Sequence, residues 1–284
     1  MLCNLCPNVC NIDRKESIGR CGVKSNIRIA KYYLHKFEEP CISGENGSGT
    51  VFFCGCSLKC VFCQNYELSR AFRGKEISIS QLADVFKELE EKGASNINLV
   101  TPTQFTDKII SALKIYSPQI PIVYNTHGYE KLDVLKDINH YIGVYLPDLK
   151  FFSPAVSERY TGKKDYFLFA SRAIEYMANK PVKFDENGLM VSGTLVRHLV
   201  LPSNIEDSKN VIDFLSDFKD EIYINIMSQY TPFGEIKNFP ELNRKVTKRE
   251  YESVIDYAIS KGITQMFWQK RSSATEEYIP KWDF

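Results

Sequence analysis

Val51–Tyr66 reads VFFCGCSLKCVFCQNY and holds Cys54, Cys56, Cys60 and Cys63 within ten residues. The last three are spaced C-x3-C-x2-C and follow Val51-Phe52-Phe53, an apolar run of the kind that forms a short buried strand. A [4Fe–4S] cluster normally takes four cysteines. Three thiolates on one tight loop would hold three of its irons and leave the fourth open to another ligand. An open position is what a catalytic metal centre keeps and a structural one closes. A zinc knuckle, or a set of partly buried structural cysteines, is the other reading of the same spacing.

Downstream of this loop, strand-like and helix-like stretches alternate. Thr50–Phe53 leads in, and Ile79–Lys92 is an amphipathic helix with Ser78 or Ser80 as its cap and Gly93 as its stop. Apolar strands are expected at Asn96–Val100, Ile120–Tyr124, Tyr141–Leu146, Leu195–Leu201 and Ile222–Met227. Helices are expected at Thr106–Tyr116, Tyr129–Ile138, Asp165–Asn179, Ser208–Phe218 and Lys248–Lys261. Six βα units with apolar strands predict a parallel α/β sheet buried on both faces. Periodicity does not choose between an open sheet and a partial barrel. In either, the chemistry lies beyond the strands' C-terminal ends. Those ends carry Cys54–Asn65, Thr101–Gln104, Asn125–Gly128, Pro147–Lys150, Arg197 with His198, and Ser228–Tyr230.

Upstream, Cys3, Cys6, Cys10 and Cys21 form C-x2-C-x3-C-x10-C, with Pro7, Asn8, Asn11, Gly19 and Gly22 marking turns. Four thiolates make a closed site for zinc, a single iron or an auxiliary cluster, and spacing does not separate these metals. The segment has too few large apolar residues to fold on its own, which argues for a metal. Ile27–Leu34 is a further strand, followed by the loop SGENGSGT. Its glycines lack the Lys-Ser/Thr of a phosphate cradle and read as a flexible turn into the cysteine strand. Cys41, alone in that loop, reads as a buried structural thiol.

An apolar share of 44% is ample for a core, and a net charge of +1 gives no field to attract nucleic acid or an anionic membrane. No apolar run is long enough to span a bilayer, and MLCNLCPNVC is not a signal peptide. Nine cysteines without an export signal point to a reducing, cytoplasmic compartment, and exposed thiolates to low oxygen.

FFCGCSLKCVFCQN, with Phe62 before the third cysteine, resembles the radical S-adenosylmethionine (SAM) superfamily, and most closely its pyruvate formate-lyase activating enzyme-like and PflX-like members. LCPNVC and GRCGVK fall inside the resemblance. It implies a partial (β/α)6 TIM-like barrel at residues 49–284, behind a Cys-rich metal-binding segment at 1–48. It also implies that Cys56, Cys60 and Cys63 ligate a [4Fe–4S] cluster whose open iron is chelated by SAM, with Phe62 against the adenine. LPDLK matches the family's Asp-x-Lys: Lys150 would pair with the SAM carboxylate, and Asp148 would face a cation or the SAM ammonium. Arg197, in LVRHLVLP, fits the family's arginine, and its cost inside an apolar strand favours a ligand contact. His198 alternates to the opposite face and reads as structural.

Two departures stand out. Thr101-Pro102-Thr103 replaces the family's Gly-Gly-Glu, leaving hydroxyls and carbonyls to accept from the SAM ammonium. Asn125-Thr126-His127-Gly128 replaces Asp-Thr-Asn-Gly, so the monovalent-cation site loses its acid. His127 is either an acid or base on the substrate side or a hydrogen-bonded structural histidine. Asn65, Thr126 and Gln229 complete the candidate cofactor contacts. Cys54 reads as an inert buried thiol, with a radical-accessible group as the alternative.

The resulting expectation is reductive cleavage of SAM to a 5′-deoxyadenosyl radical that abstracts hydrogen from a substrate. The resemblance suggests a backbone glycine of a partner enzyme, fed by a donor such as flavodoxin or ferredoxin. Alternatives are radical modification of another peptide or small molecule, and a non-catalytic iron–sulfur electron carrier. The tail Phe267–Phe284, rich in aromatics, is expected to dock on the body, where it would close the barrel's open edge.

Overall fold

The computed structural model describes residues 2–71 and 73–268. β1 (Ile27–His35), α1 (Pro40–Ser43), β2 (Ser48–Phe53) and α2 (Tyr66–Ser69) carry the chain past the cysteine loop. Next come β3 (Lys75–Ile77), α3 (Ile79–Glu91), β4 (Ile97–Val100), α4 (Thr106–Ile115), β5 (Ile122–Thr126) and α5 (Leu132–Ile138). β6 (Val144–Pro147), α6 (Pro154–Thr161), α7 (Tyr166–Ala178) and β7 (Lys183–Phe184) lead to β8 (Met190–Leu199). α8 (Ile205–Ser216), β9 (Tyr223–Met227), α9 (Lys248–Ser260) and β10 (Met266–Trp268) complete the described chain.

β2, β4, β5, β6, β8, β9 and β10 are neighbours in that order and run parallel. β1 and then β3 extend the sheet antiparallel beyond β2, and β7 pairs with β8. β10 and β3 end the sheet without pairing to each other, so the α/β barrel is partial. β10 is a parallel strand beyond the six expected, and it takes in Phe267 and Trp268 of the expected tail. Residues 269–284, with Tyr278, Trp282 and Phe284, lie outside the described residues. No helix among the described residues is long and apolar enough to cross a membrane.

Element ends differ from expectation for local reasons. β5 begins after Pro121, which has no N–H to give a ladder; its carbonyl instead accepts from the Ile97 amide at 2.9 Å. β8 starts earlier than Leu195 because Met190–Ser192 turn back to pair with β7. α3 behaves as read: Ser78 Oγ accepts from the Gln81 amide at 3.1 Å, Gln81 Oε1 accepts from the Ser78 amide at 2.8 Å, and Gly93 takes φ +81° beyond its end.

Strand register decides what faces the lumen. Thr50, Asn98, Val123 and Val144 form one layer; Phe52, Val100, Asn125 and Leu146 form the next toward the C-terminal ends. The β1–β2 connection enters this lumen. There Cys41 and Ile42 of α1 pack on Val123, Val144, Leu146 and Leu195, while Asn96 Nδ2 donates to the Ile42 carbonyl at 2.6 Å. The glycine-containing loop is thus the far end of a plug rather than a free turn. Ile42 is fully buried, and Ile42→Ala is expected to cost about 2–5 kcal/mol through the cavity it leaves, read as a lower urea midpoint.

Helices cover the outside. Leu82, Phe86 and Leu89 of α3 and Ile109 and Leu113 of α4 pack on β4 and β5. Val211 and Leu215 of α8 and Val254 and Ala258 of α9 pack on Ile224 and Ile226, in the same apolar cluster as Cys56, Cys60 and Phe62. The cysteine loop is therefore continuous with the core.

Candidate active site

The C-terminal ends of the parallel strands open onto one cavity of about 230 Å³. Cys56, Cys60, Cys63, Phe62, Asn65, Thr101, Asn125, Thr126, His127, Asp148, Lys150, Arg197 and Gln229 all line it. Thr103 does not: its hydroxyl turns away and donates to Glu130 Oε1 at 2.5 Å. The Thr126 hydroxyl donates to the same oxygen. His35 at the end of β1, and Phe37 and Glu38 in the β1–β2 connection, none of them singled out in the sequence, also line the cavity.

The cysteine loop is held from several sides. Gln104 Nε2 donates to the carbonyls of Cys54 (3.1 Å), Gly55 (3.0 Å) and Thr101 (2.8 Å), fastening the loop to the end of β4. Gly55 has φ +83°, and a Cβ there would lie 2.7 Å from the Cys21 carbonyl. Gly234, at φ +87°, comes so close to Val61 that a Cβ would stand 2.4 Å from its carbonyl oxygen. Both glycines let backbone press directly on the loop. Within it, the amides of Leu58 and Lys59 point at Cys56 Sγ (3.4 and 3.5 Å). Such donors favour a thiolate. Burial pushes the Cys56 thiol up to about 11 and raises Cys60 and Cys63, while the Lys150 charge pulls all three down. A metal ion would complete that pull, since coordination deprotonates a thiol outright.

No three Cys, His, Asp or Glu side chains among the described residues stand within reach of one metal ion. A cluster does not require that, because each cysteine binds its own iron. Three unoxidised cysteines on one loop, facing one cavity and with amides aimed at sulfur, fit a [4Fe–4S] cluster. The fit is of donor type and placement.

Charges form a chain across the cavity floor. Lys150 Nζ lies 2.7 Å from Asp148 Oδ2, and Arg197 Nε lies 2.9 Å from Asp148 Oδ1. Arg197 Nη1 continues to Glu38 Oε1 at 2.8 Å, and its Nη2 donates to Asn125 Oδ1 at 2.7 Å. Glu38 Oε2 accepts from Asn98 Nδ2 (2.9 Å) and Asn125 Nδ2 (3.2 Å). Burial would raise Asp148, but the Arg197 and Lys150 charges outweigh it and hold the carboxyl below its ordinary range. Beside it, Glu39 is pushed up to about 7 by burial, against the pull of Arg197 and a hydrogen bond from Asn225 Nδ2 at 2.6 Å. Two expectations change. The cost of Arg197 in a strand is met by protein acceptors, so that cost does not argue for a ligand. The cations that Asp148 faces are the protein's own, Lys150 on one oxygen and Arg197 on the other.

His127 is ordered by hydrogen bonds. The Tyr129 amide donates to Nδ1 at 3.1 Å, so Nε2 carries the proton and donates to Ser57 Oγ at 2.9 Å. Burial lowers it to about 3, leaving the imidazole neutral at neutral pH. His198 faces away, with Nδ1 against the Leu149 carbonyl (2.7 Å) and Nε2 against Ser208 Oγ (2.9 Å). Thr101 takes φ +58°, a strained conformation for a β-branched residue, at the point where it lines the cavity. Phe62 stands edge-on to Phe151, Tyr160 and Tyr230. Cys54 is fully buried against Phe52 and Leu68, Cys41 is buried in the plug, and burial pushes each thiol up to about 12. Cys3, Cys6, Cys10 and Cys21 lie outside the cavity, on a segment packed behind the cysteine loop.

The model of the radical SAM superfamily matches residues 50–215. An uncharacterized protein of Methanocaldococcus jannaschii is 30% identical over 266 residues, covering 90% of this chain and 74% of that protein. Among solved structures, SuiB of Streptococcus suis bound to its precursor peptide SuiA superposes with a TM-score of 0.51 at 14% identity, over 76% of this chain and 46% of SuiB. SuiB bound to S-adenosylmethionine gives 0.50 at 16% identity, over 76% and 48%. The chain thus matches about half the length of SuiB, and the likeness is one of fold.

Proposed function

The chain belongs to the radical SAM superfamily, and from that premise we propose that it cleaves SAM reductively to take hydrogen from a protein or peptide substrate. The finer reading is a glycyl-radical-enzyme activating enzyme of the PflX-like type, receiving its electron from a flavodoxin or ferredoxin. One observation carries the reading: Cys56, Cys60 and Cys63 share a cavity with Lys150 and an apolar wall. When bound, the cluster would pass one electron into the sulfonium of SAM, giving methionine and the 5′-deoxyadenosyl radical.

The chain's own residues would do the rest. Cys56, Cys60 and Cys63 would ligate three irons. Lys150, held by Asp148, would meet the methionyl carboxylate as an oriented point charge. Asp148, Glu38 and the Thr101 carbonyl each already accept from the protein, and lone pairs left on these oxygens would accept from the SAM ammonium. Phe62 would lie against the adenine, and Leu199 and Met227 would keep water from the reacting carbon. Phe37, 65% exposed, offers an apolar contact to a substrate arriving at the mouth.

The test is anaerobic reconstitution, reduction with dithionite and incubation with SAM. 5′-Deoxyadenosine should form, and a glycine-containing partner protein should acquire a glycyl-radical resonance. A fully reconstituted protein that leaves SAM intact, with and without such partners, would count against the reading.

A further inference from the structure

We propose that Cys3, Cys6, Cys10 and Cys21 hold a second, thiolate-bound metal centre, zinc or iron, whose structural task is to brace the back of the Cys56–Cys63 loop. Cys21 is packed in the core beside Val23 and Ile27, Cys6 is buried, and Cys3 and Cys10 are partly exposed. Cys6 opens a tight turn closed by the Val9 amide on its carbonyl (3.1 Å), and the Cys3 amide reaches the Ile12 carbonyl at 2.8 Å. Val9 and Asn11 both take positive φ, +40° and +50°. A turn this strained needs something to hold it.

Donors and charges point toward sulfur. Asn8 Nδ2 lies 3.7 Å from Cys6 Sγ, and the Arg20 amide lies 3.4 Å from Cys10 Sγ. Two cations border the segment: Arg14 donates to the carbonyls of Gln104 and Lys24, and Lys163 Nζ donates to Asn8 Oδ1. A tetrathiolate around a divalent metal carries net negative charge, which these cations would offset. None of the four is in a disulfide. No three of the sulfurs stand within reach of one ion, so binding would have to draw them inward, with Cys3 and Cys10 the partly exposed pair.

The segment's contacts give the centre its task. The Cys21 carbonyl accepts from the Cys56 amide at 3.0 Å, and Asn8 Nδ2 donates to the Ser57 carbonyl at 2.9 Å. Arg14 Nη1 donates at 2.6 Å to the carbonyl of Gln104, the residue that fastens Cys54 and Gly55. A metal that fixes Cys21 therefore fixes the backbone of Cys56. The four thiolates are a ligand set, not a catalytic group.

The experiment uses the full chain, expressed and purified anaerobically, in a Cys56→Ala/Cys60→Ala/Cys63→Ala background. This removes the cavity cysteines, so the outcome is independent of SAM chemistry. Zinc, iron and acid-labile sulfide are counted. About one zinc or one iron per chain, or iron with matching sulfide, supports the proposal and identifies the metal. Adding Cys6→Ser and Cys21→Ser should abolish that metal, and Cys3→Ser with Cys10→Ser, at the less buried positions, should do the same with the fold retained by circular dichroism. Stripping the metal with a chelator should lower the melting temperature and speed proteolysis within residues 1–24. A triple-alanine protein that is folded and metal-free overturns the proposal. So does metal that survives replacement of all four N-terminal cysteines.

Discussion

Cys60→Ala is expected to abolish 5′-deoxyadenosine formation, reducing it to the rate seen without protein, and to remove the iron assigned to the cavity. Cys60 is buried, faces the cavity and lies in the field of Lys150. Cys56 and Cys63 alone would leave two irons of a cluster without protein ligands, and such a cluster does not persist through reduction. The companion variant is Cys54→Ala. Cys54 lies only two residues before Cys56 but is fully buried between Phe52 and Leu68, off the cavity. It should keep its iron and at least half of the SAM cleavage. Iron per chain and 5′-deoxyadenosine, measured on both variants, check the pair. Equal losses would mean that the loop binds through a different set of cysteines.

The sequence made the cavity legible because its chemistry lies where a parallel α/β fold places it. Cys56–Cys63, Asp148, Lys150 and Arg197 each stand at or just past an apolar strand, and alternation along β8 separates Arg197 from His198. Glu38 was not legible by that rule. It lies between two antiparallel strands, in a connection that turns into the lumen rather than over the sheet. Its only local mark is an acidic pair ahead of Pro40, which also describes an ordinary exposed turn. Sequence position alone shows no partner for Arg197 inside its apolar strand; Glu38 and Asp148 are that partner. Thr103 shows the converse limit. A short helical turn at Thr103–Phe105 rotates its side chain toward Glu130, and residue type at a strand end does not report that rotation. β10 is three residues long, too short for alternation to show.

The charge chain yields the second large effect, in stability and independent of any bound group. Arg197 joins Glu38 and Asp148 across β1–β2, β6 and β8. Arg197→Met keeps the volume and removes the charge, leaving two largely buried carboxylates with less compensation; breaking a buried pair in this way costs about 3–5 kcal/mol. For a chain of this size that is a fall in melting temperature on the order of 10 °C at pH 7. Acid should narrow the gap. The folded carboxyl of Asp148 lies below its ordinary value because of Arg197 and Lys150. The stability from that depression is therefore present above the ordinary carboxylate range, about pH 4, and fades as pH falls through the folded value. Once Asp148 is protonated it no longer needs Arg197, and wild type loses what the variant already lacks. Lys150→Met should cost less, since Asp148 keeps Arg197 at 2.9 Å. Adding Glu38→Leu to Arg197→Met should recover part of the loss, because the carboxylate stranded by the first change is removed by the second. Melting curves of the four proteins at pH 7 and at about pH 3, below the ordinary carboxylate value, check the scheme. A deficit in Arg197→Met that is the same at both pH values would show that the guanidinium acts through packing alone.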